Sequence, residues 1–310
     1  MRLAIVGRTH WLMDAARGLV GRGHVIALVA TAPAAPDYRC GEAAFDALAS
    51  EFGAPFLSSP DVNGPAFIAC ARASAAEACV SVNWPSIFRS ETCELFPRGV
   101  LNAHAGDLPR YRGNACPNWA ILNDEPHVGL CIHAMEPGVV DAGPIYARER
   151  FPLTETTYIG DVYAWMDARI PAMFADAVDR LVDPAFVPED QALSGITPHR
   201  CFPRRPEDGL IDWSRPAPAI ARLVRASSRP FAGAHTRLEG RERVTVWRAR
   251  AVALDHDHDA VPGQIVGKSP HGLPLISCGE GVLEIQEASI EGRDRLPTSN
   301  RYRLFNARLR

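Results

Sequence analysis

The feature that most constrains this chain is an alternation, through its first half, of short β-rich apolar runs with segments of helical spacing. Residues 3–6 form an apolar run closed by Gly7, and residues 11–20 then place apolar side chains at helical spacing ahead of Gly21 and Gly23. Residues 24–31 read as a second strand, 43–52 as a helix, 55–57 as a short strand and 66–75 as a helix. Strands follow at 78–82, 99–102 and 128–135, and a long helix runs from Gly160 to about Val182. A β-α-β-α order implies crossover connections. The expected class is therefore α/β, a Rossmann-like, mostly parallel open sheet with helices on both faces. Ligands in such sheets bind outside the carboxyl ends of the strands.

Near residue 205 the character changes. Pro184, Pro188 and Pro198 crowd a loop, residues 219–226 have helical spacing, and short β runs follow at 243–247, 263–266, 273–277 and 281–288. Short strands separated by Gly and Pro turns suggest a small, mainly-β, barrel-like (OB-like) domain. The expected division is 1–204 for the α/β domain and 205–310 for the β-rich one. At 310 residues both can hold a core. Substrate binding, formation of a homodimer and simple cover for the first domain all stay open for the second.

Composition removes several function classes. The net charge of −3 offers no electrostatic ground for a nucleic-acid partner, which needs clustered Lys and Arg. No apolar stretch is long enough for a bilayer span, and the opening Met1–Gly7 reads as a strand rather than a signal peptide, so the expected location is cytoplasmic. The eight cysteines include no Cys-x-x-Cys pair and none sits with His at metal-ligand spacing; they read as small buried hydrophobes. His256 and His258 alternate with aspartates in a polar stretch that reads as a solvated turn, so no metal is expected. Gly7-Arg8-Thr9-His10 lacks the Gly-x-Gly-x-x-Gly turn of a pyrophosphate site, which sets aside a nucleotide-cofactor oxidoreductase.

The segment from Gly99 to Ile145 carries the chemistry. Asn102 and His104 stand two apart at the end of an apolar strand, and in extended chain such residues point to one side. Both polar groups then project together at the strand's carboxyl end. A turn-rich loop with Pro109, Arg110, Arg112 and Gly113 follows, and Asp141 sits just after a later strand, ahead of Gly143. Taken singly, Asn102 reads as a turn cap, His104 as a satisfied half-buried histidine and Asp141 as a loop start. In combination they call for one ligand.

The combination of Asn-x-His at Asn102 and His104, Leu-Pro-x-Tyr-Arg-Gly at residues 108–113 and Asp-x-Gly at residues 141–143 resembles the folate-dependent formyltransferase family. The likeness extends along nearly the whole chain. Residues 204–213, 224–226 and 230–234 look like the start of that family's C-terminal domain. The resemblance implies an enzyme that takes a formyl group from N10-formyltetrahydrofolate and gives it to an amine, with Asn102, His104 and Asp141 as catalytic groups and no metal. It further implies a pterin held by two loops. One carries Asn83, Trp84, Ile87 and Phe88; the other carries Met135, Glu136, Pro137, Gly138 and Val139. Core packing at a helix start is an equal alternative for Trp84, Ile87 and Phe88. For the acceptor the candidates are Arg112, Asn114 and Asn118, with Arg8 and His10 at the end of the first strand facing a substrate anion or merely solvent.

One departure stands out. Many members carry Ser where this chain has Gly106, and Asp107 adds an acid beside it. The acceptor is expected to be a small amine, a nucleotide-linked amino sugar first, because the loop at 31–41 offers only Arg39 and also contains Asp37. N-hydroxyornithine and methionyl-tRNA are the alternatives, and a hydrolase that passes the formyl group to water is the rival reaction.

Overall fold

The computed structural model describes residues 1–35, 38–239, 241–253 and 259–290; His256 and His258 lie outside the described residues. In chain order the first elements are β1 (Arg2–Gly7), α1 (His10–Gly21), β2 (Val25–Thr31), α2 (Glu42–Phe52), β3 (Phe56–Ser58), α3 (Pro65–Ser74) and β4 (Ala78–Val82). They are followed by α4 (Ser90–Cys93), β5 (Val100–His104), β6 (Tyr111–Gly113), α5 (Cys116–Leu122), β7 (His127–Ala134), β8 (Ile145–Pro152) and α6 (Ile159–Val182). The remainder comprises β9 (His199–Cys201), α7 (Ala217–Ser227), β10 (Ala234–Leu238), β11 (Glu242–Val252), β12 (Ile265–Lys268), β13 (Pro274–Ser277) and β14 (Val282–Ile290), with short 3-10 turns at Gln191–Ser194 and Pro206–Gly209.

The first sheet has seven strands in the order β3-β2-β1-β4-β5-β7-β8. β1, β2, β3, β4 and β5 pair in parallel, as the α/β pattern requires, and the apolar runs of β1, β2 and β4 are buried on both faces, while β3 forms a half-exposed edge. The strand order reverses between β1 and β4, which is where such sheets open a crevice at the carboxyl ends. β7 then pairs antiparallel with β5. The sequence pattern does not reveal β8, because its Ile-Tyr-Ala-Arg-Glu-Arg-Phe-Pro run alternates buried with half-exposed residues, as an edge strand does. β6 and β9 are three-residue partners, too short to carry any period.

By contacts the chain divides into two compact units. One comprises Met1–Cys116, Gly129–Phe151 and Ala164–Cys201; the other comprises Pro117–Val128, Pro152–Tyr163 and the described residues from Phe202 on. The second unit therefore takes in two stretches from well before residue 205. Its sheet is antiparallel, in the order β10-β11-β14-β13-β12. Helix α7 buries Ile220, Ala221 and Val224 in a core shared with Trp213, Val246, Ile276, Leu283 and Ile285. The Tyr158 hydroxyl bonds both backbone groups of Ala249, each at 3.2 Å, and so ties Pro152–Tyr163 to β11. No helix among the described residues is long and apolar enough to cross a membrane.

The close approach of β1 to β4 depends on Gly7. A Cβ there would lie 2.6 Å from the Val82 carbonyl oxygen and 2.7 Å from Leu12 Cδ2. Gly7→Ala is expected to cost about 1–3 kcal/mol of stability by overpacking. The check is urea unfolding, which should show a lower midpoint at an unchanged slope.

Candidate active site

β5 and β7 set the register of the site. Asn102 stands opposite His133, and His104 opposite Cys131. Cross-strand partners share a face, as do residues two apart on one strand. Asn102, His104, Cys131 and His133 therefore project from the same face of the sheet. No motif marks His133, which sits in an apolar run, and only the pairing of β7 with β5 singles it out.

His133 and His104 are almost wholly buried, while Asn102 is half-buried. His133 Nδ1 donates to the Ala134 carbonyl at 2.8 Å. In the neutral ring this leaves Nε2 to accept from Asn102 Nδ2 at 3.2 Å. Asp141 enters from the turn before β8 with its backbone left-handed, φ +52°, a region that Asp tolerates better than most residues. Its Oδ2 accepts the Gly113 N–H at 2.8 Å and lies 3.4 Å from His104 Nδ1, while Oδ1 lies 3.4 Å from His133 Nε2. The structure thus brings Asn102, His104 and Asp141 together and adds His133 between them.

The second nitrogen of His104 is also committed. Nε2 donates to the Tyr111 carbonyl at 2.6 Å, so the neutral ring presents a bare Nδ1 to the Asp141 carboxylate. A proton taken at Nδ1 turns that approach into a charge-assisted hydrogen bond. Burial holds the His104 pKa below its ordinary value, against the opposite pull of Asp141. Burial alone would raise the Asp141 carboxyl, but His104, His133 and the Gly113 N–H overcome it and hold the group well below the usual carboxylate range. At neutral pH the arrangement is an anion beside an uncharged imidazole that can take a proton.

Two thiols lie near the site without taking part, Cys116 beside the His104 ring and Cys131 on the Gly106 carbonyl. Cys116 Sγ is 3.7 Å from His104 Nε2, and its hydrogen bond with Cys201, together with burial, raises its pKa. Burial pushes the Cys131 thiol up to about 11. Both stay protonated and neither is a nucleophile at neutral pH. Asp107 does not add charge to the cluster, because its carboxylate faces Arg148 at 2.5 Å and Arg150 at 3.2 Å.

The two loops expected at a pterin meet in one apolar cluster. Phe88 is buried there with Val6, Ala30 and Val100, and Trp84 and Met135 pack against it from the side. Phe88 is thus a core residue. Ile87 and Val139 stay exposed, at 59% and 51%. Asn83 is left-handed, φ +52°, and Trp84 Nε1 donates to Ser86 Oγ at 3.1 Å. Glu136 and Val139 close a turn over Pro137 and Gly138, and the Met135 N–H donates to the Val100 carbonyl at 2.8 Å.

The acceptor candidates divide. Arg8 donates to the carbonyls of Asn83 and Pro33, at 2.9 and 3.3 Å, and lies over the Tyr38 ring. His10 pairs with Asp167 at 3.1 Å, and Asp167 also receives Trp11 and Arg39. Both residues hold protein groups rather than facing bare solvent. Arg112 donates to Gln191 at 2.8 Å. Asn114 is exposed, with its N–H on the Cys201 carbonyl. Asn118 lies in the second unit, buried, with its amide on the Ala226 carbonyl at 2.8 Å.

Gly106 is what allows Tyr111 to reach His104. A Cβ at that position would lie 2.1 Å from the Tyr111 carbonyl oxygen and 2.4 Å from His104 Nε2. Gly106→Ala is therefore expected to displace the ring or the carbonyl. If the site is catalytic, the turnover number should drop roughly 10-fold or more. Steady-state kinetics beside a thermal unfolding curve will separate this from a general loss of fold.

Known proteins resemble this chain in sequence and in fold. The "Formyl transferase" family model matches residues 1–178 and the "Formyl transferase, C-terminal domain" model matches residues 204–306. Methionyl-tRNA formyltransferase of Citrifermentans bemidjiense is 30% identical over 97% of this chain and 92% of its own length. Among solved structures, an N-formyltransferase from Helicobacter canadensis, determined with folinic acid and dTDP-3-aminofucose, superposes with a TM-score of 0.63 at 15% identity, covering 92% of this chain and 98% of that one. HypX from Aquifex aeolicus in complex with tetrahydrofolic acid superposes with a TM-score of 0.61 at 16% identity, covering 96% of this chain and 45% of that one.

Proposed function

The chain belongs to the formyl transferase family, and from that premise we propose that it moves a formyl group from N10-formyltetrahydrofolate to the amine of a small metabolite, most readily a nucleotide-linked amino sugar. The observation that carries the reading is the Asp141 carboxylate set 3.4 Å from His104 Nδ1, with Asn102 on the same sheet face. The residues present suit a reduced folate. Trp84 and Met135 bring both loops to one apolar cluster, and Ile87 and Val139 stay exposed beside them for a flat heterocycle. Asn83 and residues 135–139 supply backbone for its polar edge.

The reduced folate supplies an electrophilic formyl carbon. Asn102 Nδ2 donates to the formyl oxygen as negative charge develops there, turning from His133 to do so. His104 takes the proton of the attacking amine at Nδ1, the imidazolium formed is stabilised by Asp141, and the proton passes to the folate nitrogen as its bond to the formyl carbon breaks. His133, with Nδ1 donating to the Ala134 carbonyl, accepts the Asn102 amide at Nε2 and so fixes where that donor stands. The Tyr111 carbonyl keeps the other proton of His104 on Nε2, so the ring accepts at one atom only.

The pH dependence follows with a definite sign. His104 must be neutral to accept a proton, and its pKa is lowered, so the acid limb of the turnover number should lie below about 6.5. Asp141→Asn removes the charge that favours protonation of the ring. Its limb should move to still lower pH while the rate falls roughly 10²–10⁴-fold. Asn102→Ala should lose roughly 10²–10³-fold, as expected for an oxyanion donor. Near-full rates in both variants, or a limb that moves upward in Asp141→Asn, would overturn this assignment.

A second reading has one observation behind it: identity to methionyl-tRNA formyltransferase runs over nearly the whole chain. Against a tRNA acceptor, Arg39 is the only Lys or Arg in residues 31–41, and it is paired with Asp167 at 2.8 Å. A panel of nucleotide amino sugars, N-hydroxyornithine and methionyl-tRNA with N10-formyltetrahydrofolate decides the acceptor. Transfer to an amino sugar is expected. Transfer to methionyl-tRNA alone, weakening steeply with salt, reverses the choice, and formate released without any acceptor points to a hydrolase.

A further inference from the structure

Gln191 belongs to no motif, yet it is 97% buried, with a relative exposure of 3%. It opens the 3-10 turn Gln191–Ser194, whose start is capped by the Asp190 side chain on the Ala192 N–H at 2.8 Å. The preceding residue but one, Glu189, exchanges both backbone hydrogen bonds with Ile145, at 2.8 and 2.9 Å, which lays this segment alongside the turn that carries Asp141. The Gln191 amide is engaged at both ends. Nε2 donates to the carbonyls of Asp141 at 3.0 Å and Gly143 at 2.7 Å, and Oε1 accepts Arg112 Nη2 at 2.8 Å.

These bonds close on themselves. Gly113, joined to Arg112 by a peptide bond, donates its N–H to the Asp141 carboxylate at 2.8 Å. Arg112 binds Gln191, Gln191 binds the Asp141 backbone, and the Asp141 side chain returns to Gly113. We propose that Gln191 is a positioning residue for formyl transfer, holding the Asp141 backbone so that its carboxylate stays between His104 and His133. The inference rests on the reading of Asn102, His104 and Asp141 as the catalytic groups. Gln191 acts through Asp141 and touches no reacting atom.

The effect should be legible in the proton affinity of His104. The groups that face His104 are Asp141 from the turn, His133 on β7, Arg112 on β6, Cys116 at the start of α5 and the Tyr111 carbonyl. Asp141 is the one carboxylate among them. Around Asp141 stand His104, His133, the Gly113 N–H and Cys116. Freeing the Asp141 backbone weakens the single negative charge that favours a proton on His104, whereas a role confined to stability leaves that balance in place.

The test is a pH titration of the His104 ring by NMR on the full chain labelled at histidine, with His104→Asn used to assign the resonance. It needs neither folate nor acceptor. In Gln191→Met, which keeps length and loses every hydrogen bond, the midpoint should fall by about half a pH unit, a threefold loss of proton affinity. Gln191→Leu, also uncharged and of similar volume, loses the same bonds to Arg112, Asp141 and Gly143; it should shift in the same direction, and it serves if Gln191→Met does not fold. Turnover with the acceptor found by the panel should fall roughly 10-fold in either variant, with the folate KM little changed. A folded Gln191→Met or Gln191→Leu whose His104 midpoint stays at the wild-type value overturns the proposal, even if its melting temperature drops. The catalytic reading fails separately, if Asp141→Asn keeps its transfer rate.

Discussion

The site depends on a buried carboxylate that has been given enough partners to remain an anion. Desolvating a carboxylate costs several kcal/mol unless it is paired and hydrogen-bonded. Asp141 faces two imidazoles and accepts a backbone N–H, and its pKa falls despite its burial. A negative charge maintained in this way does not relax when a proton arrives on His104. That is the condition for electrostatic preorganisation, in which the dipoles are already oriented before charge appears.

The sheet's architecture explains why the partners come from so many places. In the parallel half, every strand would deliver its ligand-facing loop at one edge. β7 breaks this pattern by running antiparallel to β5, so it contributes His133 from the strand itself rather than from a loop beyond its end. His133 reaches Asn102 across the ladder, while β6 and the turn before β8 bring Gly113 and Asp141 in from loops. The site is an assembly of a strand face and two loops, and the loops are held to one another by Arg112 and Gln191.

The class of the first sheet and most of its strands and helices were legible in the sequence, because apolar periodicity depends only on local geometry, whereas Asp141 was marked by the resemblance of its Asp-x-Gly motif. Asn102 and His104 could be placed on one face from alternation alone. What stayed hidden was set by pairing. His133 looks like any apolar-strand histidine until β7 is laid against β5. The commitments of Arg8 and His10 involve residues far along the chain, so no local pattern distinguishes them from solvated side chains. Asp107 looked like an acid beside the site, but two arginines of β8, an edge strand with no clear signal, take it up. Phe88 reads equally as platform or core from its spacing, and only burial decides between them.

The antiparallel register of β7 bears on how chains of this kind can change length. Side chains alternate with a period of two, so sliding β7 by one residue would replace His133 opposite Asn102 with Ile132 or Ala134 and turn the imidazole to the other face. An insertion or deletion between α5 and β7 therefore cannot be absorbed by slippage of the strand. It has to bulge outward in the turn at residues 123–126, where Asn123, Asp124 and Pro126 are solvent-exposed or nearly so. Related sequences of different length should keep the interval from the β5 asparagine to the β7 histidine variable in number but fixed in parity at its strand ends, with the added residues confined to that turn.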